Sequence, residues 1–309
     1  HDYAPPIGPE NKEYQFKLAR ATLDFLEKNF SATPIPVWNK RFSEVDLEKR
    51  ITNIVYWVIE GVRLHRKLYP LDPVWIIAQI MKESYFYEFA VSKALAVGIC
   101  QFVQPTAQSY KMLCAGTKPE HAQAPFKLPE FAAKAQEYYR LRQERSRYRR
   151  KQKPPQSWSL EEALRIIQSG EVKAHQKAAG DYLAYLEKVK SFDDKVVQAR
   201  DDFRKYLRAN VEGLDIFNKA DLTFILNFDE RFTYKKPVFS MVKMLALGLK
   251  ARNGNILAAT VAYNAGLSST LGNGMYKRYG TIPAIEQTTT YLSHVLINHY
   301  EISERMLMD

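Results

Sequence analysis

The chain has 309 residues, of which 46% are hydrophobic and 26% charged, the ordinary balance of a soluble globular protein with length enough for one large domain or two small ones. No uninterrupted apolar stretch approaches the roughly 20 residues that span a bilayer, so the sequence holds no transmembrane segment. The net charge of +11 points to an anionic partner or surroundings, among them nucleic acid, phosphate-rich envelope polymers and acidic membrane surfaces. The opening His1-Asp2-Tyr3 lacks a Met and reads as a mature or trimmed form, with any signal peptide outside this sequence.

Taken in chain order, the pattern is almost entirely helical. Residues 11–29 carry Phe16, Leu18, Ala19, Leu23, Phe25 and Leu26 at helix-like spacing. Residues 44–69 form a long amphipathic helix with Leu47, Ile51, Ile54, Val55, Val58, Ile59 and Val62 facing inward. A third helix should start at Asp72, a good N-cap followed by Pro73, and end near Ser84. Its interior is a run of apolar helix-formers closed by one carboxylate, Glu83. In the last turn the negative end of the macrodipole disfavours ionisation, and apolar neighbours favour the neutral carboxyl. A carboxylic acid kept protonated near neutral pH can give its proton to a leaving-group oxygen. The bland alternative is a surface Glu at a helix end.

Between Ala90 and Phe102, β-branched Val91, Val97 and Ile99 alternate with small residues and Gly98, so short strands are predicted there. Prolines at 119, 125, 129, 154 and 155 punctuate the next stretch into loops and short helices. Ser159-Leu160-Glu161-Glu162 is a capping box opening a helix, and residues 181–208 give one or two more amphipathic segments. From Arg140 to Lys153 eight basic residues face the single acid Glu144, with Tyr138, Tyr139 and Tyr148 interleaved. That run is either a docking strip for an anionic polymer or a solvated helical face. A helix follows from Lys236 through Leu249, then a small-residue helix from Ile256 to Ala262, stopped by Gly266.

No metal site or cofactor is indicated: there is no Cys-x-x-Cys, no His-Glu-x-x-His, and the six His are scattered. Cys100 and Cys114 are open between a disulfide and two buried free thiols. Paired-carboxylate glycan chemistry needs a second Asp or Glu some 5–10 Å from the acid. Between Ser84 and Pro119 the only one is Glu88, and from residue 254 to residue 300 the only one is Glu286.

Glu83-Ser84-Tyr85-Phe86, Ser92, the stretch Ala94 to Gln101 and Pro105-Thr106-Ala107 together resemble the signature of the soluble lytic transglycosylases. Ala262-Tyr263-Asn264-Ala265-Gly266 is similar to a second motif of that family, and Ile282-Pro283 with Tyr291-Leu292 and Val295-Leu296 to a third. The three motifs occur in the family's order and span roughly 71–110 and 236–301, somewhat over a third of the chain.

The resemblance implies a mainly α, goose-type lysozyme-like catalytic domain with a small β element at 71–116 and 236–309. It would be preceded by an N-terminal helical region at 1–70 and interrupted by a helical insertion at 117–235. The activity it implies is cleavage of peptidoglycan between N-acetylmuramic acid and N-acetylglucosamine, in the periplasm or outside the cell. Glu83 would be the single catalytic acid and a 1,6-anhydro ring the product. Ser92 would help to orient the site, Gln101 and Tyr291 would line the cleft, and the Tyr263 hydroxyl would reach towards the carboxyl beside its neighbour Asn264.

The same Glu83 acting on water as a lysozyme, a catalytically idle peptidoglycan-binding protein, and a basic helical nucleic-acid binder are the alternatives. Leu95 stands where the family has Gly, Cys100 and Val103 where it has Met, Gln104-Pro105 where it has Pro-Gly, and Gln287 where it has Glu. Read as cleft residues, Leu95, Cys100 and Val103 predict a preference for a modified, de-N-acetylated strand.

Overall fold

The computed structural model describes residues 10–308, so the chain opening His1-Asp2-Tyr3 lies outside the described residues. The described part is mainly helical and consistent with the lysozyme-like class. Among the described residues the α-helices are, in order, α1 Glu10–Phe30, α2 Leu47–His65, α3 Pro73–Ser84, α4 Gln104–Ser109, α5 Lys134–Gln152, α6 Leu160–Ser169, α7 Val172–Val211, α8 Lys219–Phe228, α9 Lys235–Ala251, α10 Ile256–Ala265 and α11 Glu286–Leu307. The chain divides into two compact units: one runs up to Cys114 and resumes at Gly213, and the other is Ala115–Glu212.

In the first unit, α3 is the buried centre. Asp72 caps it by accepting from the Val74 amide at 2.9 Å, Pro73 sits in its first turn, and every residue from Pro73 to Met81 is buried. The predicted stripe of α2 is buried in full, from Leu47 to Val62. The helix itself is shorter than expected at both ends, beginning after its Asp46 cap. Helix α11 packs along α3 and is tied to it by side chains: His299 lies 2.7 Å from Asp72, and the Asn298 amide donates to the Ala78 carbonyl at 3.2 Å. Helix α10 meets α9 closely, because Gly248 faces Ala259 where a Cβ on the glycine would stand 3.3 Å from the alanine's. Trp75 donates to the Thr260 hydroxyl at 2.9 Å, which fixes α10 against α3.

The predicted strands at 90–102 reduce to two isolated bridges, Val91 with Val97 and Val97 with Phe102. Leu95, Gly98 and Gln101 all have positive φ, so the backbone turns too often for a ladder to extend. Gly98 is indispensable to that path: a Cβ there would lie 1.8 Å from the Arg231 carbonyl oxygen. Beneath it, Arg231 and Asp229 form a fully buried ion pair at 2.7 Å, and the same guanidinium donates to the Phe102 carbonyl at 3.2 Å. Cys100 and Cys114 are buried free thiols.

In the second unit α5 packs on α7, a single helix of 40 residues where one or two segments were expected. The capping box at Ser159 forms as read, with Ser159 accepting from the Glu162 amide and Glu162 from the Ser159 amide. Tyr138 is buried and Tyr148 stacks on Tyr185 with ring centroids 5.7 Å apart, so these tyrosines of the basic run are packing residues. Arg145 pairs with Asp193 at 2.5 Å and Arg140 with Glu144 at 2.7 Å. The run therefore lacks the exposed aromatic platform that single-strand binding uses.

Candidate active site

Helix α3 ends at Ser84, and Tyr85 and Phe86 both take left-handed backbone angles, turning the chain sharply away just after Glu83. This leaves Glu83 in the last turn with part of its surface open to solvent and the rest against the core. Burial pushes its carboxyl up to about 7, against two opposing influences, the hydrogen bond from Tyr291 and the nearby Lys82 ammonium. The Tyr291 hydroxyl donates to Glu83 Oε1 at 2.5 Å. Behind it the buried Gln79 amide donates to the Tyr291 oxygen at 3.0 Å. The three groups form one line, Gln79 to Tyr291 to Glu83, joining two positions one helical turn apart on α3 through α11.

Of the expected site residues, the structure joins Glu83 and Tyr291 directly. The resemblance assigned the reach towards the carboxyl to Tyr263. Its hydroxyl instead donates to the Cys100 carbonyl at 2.6 Å, because α10 brings it in over the 90–102 loop, and the bond to the acid is Tyr291's. Tyr263 remains close enough to Glu83 that the carboxylate helps to hold its phenol well above the ordinary range, after burial as the main cause. Ser92 accepts from the amides of Ala94 and Ala96 at 3.1 and 3.0 Å, so its hydroxyl closes the loop. Gln101 donates to the Gly98 carbonyl at 2.8 Å, also within the loop. Asn264 is exposed and lines a cavity of ≈ 380 Å³ together with Lys82, Glu286, Gln287, Thr290 and Tyr291.

The carboxylates divide plainly. Glu88 is buried and held by Arg50 at 2.8 Å, with the Tyr234 hydroxyl on its other oxygen at 3.4 Å. It is a structural ion pair. Glu286 is exposed on the rim of the cavity that Tyr291 lines. A larger cavity of ≈ 1130 Å³, lined among others by Trp57, Phe217, Phe239, Lys235 and Lys243, includes none of the expected site residues.

Two of the departures from the motif turn inward. Leu95 is 2% exposed and Cys100 0%, so neither presents its side chain at the surface, as a cleft residue would, and Leu95 sits at a left-handed backbone angle. Val103 is half-buried. Reading the sequence missed Gln79, although a polar residue four positions before the acid in an otherwise apolar run places it on the same helical face. It also missed the Asp229–Arg231 support, for which two charges one residue apart give no signal. Among the described residues no cluster of His, Cys, Asp and Glu could hold a metal ion.

Residues 64–140 match the family model described as Transglycosylase SLT domain, which agrees with the resemblance to the soluble lytic transglycosylases. The match contains the Glu83 motif and ends before the other two. Such a domain implies peptidoglycan lytic transglycosylase activity in general. No curated protein and no solved structure matches the chain.

Proposed function

We propose that this protein cleaves peptidoglycan glycan strands between N-acetylmuramic acid and N-acetylglucosamine, in the cell envelope, with Glu83 as its one catalytic carboxyl. The observation that carries this is a half-buried carboxyl, raised to about 7 and held by Tyr291, at the end of a buried apolar helix. Protonated, Glu83 gives its proton to the glycosidic oxygen as the bond to C1 breaks. As a carboxylate it then takes the proton of the sugar's own C6 hydroxyl, whose oxygen closes onto C1 and forms the 1,6-anhydro ring. One group serves as acid and then as base, which a carboxyl poised near neutrality suits.

The other residues have supporting parts in this reading. Tyr291 steadies the carboxylate, and Tyr263, Ser92 and Gln101 shape the loop beside it. Asn264 is free to meet the sugar from the cavity rim. A preference for de-N-acetylated strands is no part of the proposal, since Leu95 is buried. The second reading is lysozyme-type hydrolysis, favoured by the exposed Glu286 beside Tyr291, where a carboxylate could hold the attacking water.

Mass spectrometry of muropeptides released from purified sacculi tests all of this together. The wild type is expected to release 1,6-anhydro products and Glu83→Gln none. Reducing-end products would assign water as the acceptor, and no release at all would mean a binding protein. Near wild-type release by Glu83→Gln would remove Glu83 from the chemistry.

A further inference from the structure

We propose that Gln79 is a positioning residue whose amide serves both protonation states of Glu83 through the Tyr291 hydroxyl; this rests on the function proposed above. Gln79 is completely buried, and among the described residues its Oε1 has no hydrogen-bond partner while its Nε2 donates to Tyr291. A buried carbonyl left unbonded costs free energy, so its presence one turn before the acid calls for a use.

The chemistry supplies one. Tyr291 has a single proton to donate. When Glu83 is ionised, the amide N–H donates to the Tyr291 oxygen and Tyr291 donates to the carboxylate, the arrangement seen here. When the proton of neutral Glu83 sits on Oε2, Oε1 still accepts from Tyr291 and the line is unchanged; when it sits on Oε1, that O–H donates to the Tyr291 oxygen. Tyr291 then has to send its proton the other way, towards Gln79. Rotating the amide by half a turn presents its carbonyl there without any change of shape. The line can thus reverse its polarity as the proton moves, and the Tyr291 hydroxyl is bonded on both sides in either state. An aliphatic side chain serves neither state, and a side chain with only a donor or only an acceptor serves one.

The groups that face Glu83 are few: Lys82 from its own helix, Tyr291 from α11, Tyr263 from α10 and Cys100 from the loop. None of the last three gives up its proton before Glu83, since burial holds all of them well above their ordinary range. The ionised line is charge-assisted and so the stronger of the two. Loss of the amide should therefore weaken the carboxylate state more than the acid state.

The test is the pH profile of kcat and KM on solubilised glycan strands for the wild type, Gln79→Met, Gln79→Glu, Tyr291→Phe and the double variant Gln79→Met with Tyr291→Phe. Gln79→Met is expected to lower kcat by about tenfold at unchanged KM and to move the limb set by Glu83 up by about 0.5–1 pH unit. In the Tyr291→Phe background the same change should move the limb no further. Gln79→Glu retains a donor and an acceptor while neutral, so it should keep activity on the acid side of the profile and lose it on the alkaline side. Circular dichroism checks folding, and if Gln79→Met fails to fold, Gln79→Glu alone decides. A profile for Gln79→Met that overlays the wild type, a limb shift that persists without the Tyr291 hydroxyl, or a Gln79→Glu enzyme equally inactive at every pH would overturn the inference. Those outcomes occur in an active wild type; a wild type that cleaves no strands overturns the proposed function itself.

Discussion

Glu83→Gln should stabilise the protein at alkaline pH while removing the carboxyl proposed to carry the chemistry. The folded-state carboxyl sits at about 7 against an ordinary value of 4.5. Below 4.5 the folded and unfolded chains both hold the proton, and the group contributes no difference. Between the two values the folded chain keeps a proton that the unfolded chain has released, so stability is lost as pH rises through 7. Above 7 the fold carries a poorly solvated charge at full cost. The distance from 4.5 to about 7, at 1.36 kcal/mol per pH unit, comes to about 3 kcal/mol. Glutamine keeps the shape, accepts from the Tyr291 hydroxyl and is neutral throughout. The stability difference between variant and wild type should be near zero at pH 4.5 and grow to about 3 kcal/mol at pH 8.5. Urea unfolding followed by far-ultraviolet circular dichroism at four pH values between these limits measures it, and other titrations cancel in the difference. A difference that does not vary with pH, or a variant less stable at pH 8.5, would show that Glu83 is solvated like any surface acid.

Two further substitutions probe the loop beside the acid. Gly98→Ala places a methyl group 1.8 Å from the Arg231 carbonyl at a φ of +79°, which should destabilise the protein by about 3 kcal/mol and lower sacculus cleavage at least tenfold; wild-type cleavage by this variant would mean the loop is dispensable. Asp229→Ala deprives a buried guanidinium of its carboxylate, for an expected loss of about 3–5 kcal/mol in urea unfolding, and a loss under 1 kcal/mol would count against it.

Local signals carried the helices well. Asp72 and Pro73 mark the start of α3, and the seven apolar residues of α2 announce its buried face, because capping and periodicity are properties of neighbouring residues. The loop at 90–102 was less legible. Its β-branched residues favour strands, yet its path is decided by left-handed angles at Leu95, Gly98 and Gln101 and by Arg231 beneath. Leu95 illustrates the gap: its bulk is visible in the sequence and its direction is not. The same holds for the tyrosines. Motif order supplied Tyr263 and Tyr291, but which hydroxyl meets Glu83 depends on where α10 and α11 lie against α3.

The support of Phe102 by Arg231 has a consequence for how the chain is made. The two residues are 129 positions apart, and Tyr291 follows Glu83 by 208. A chain growing from its N-terminus thus exposes the acid and its loop long before the ion pair that underlies them has been synthesised. Closing so long a span costs little extra free energy, since the entropic term rises only with the logarithm of length. What it costs is time, because distant pairings are slow to find. A fragment ending before residue 229 would hold the first motif complete in sequence and unsupported in space. The arrangement around Glu83 is therefore among the last features of the chain to be completed.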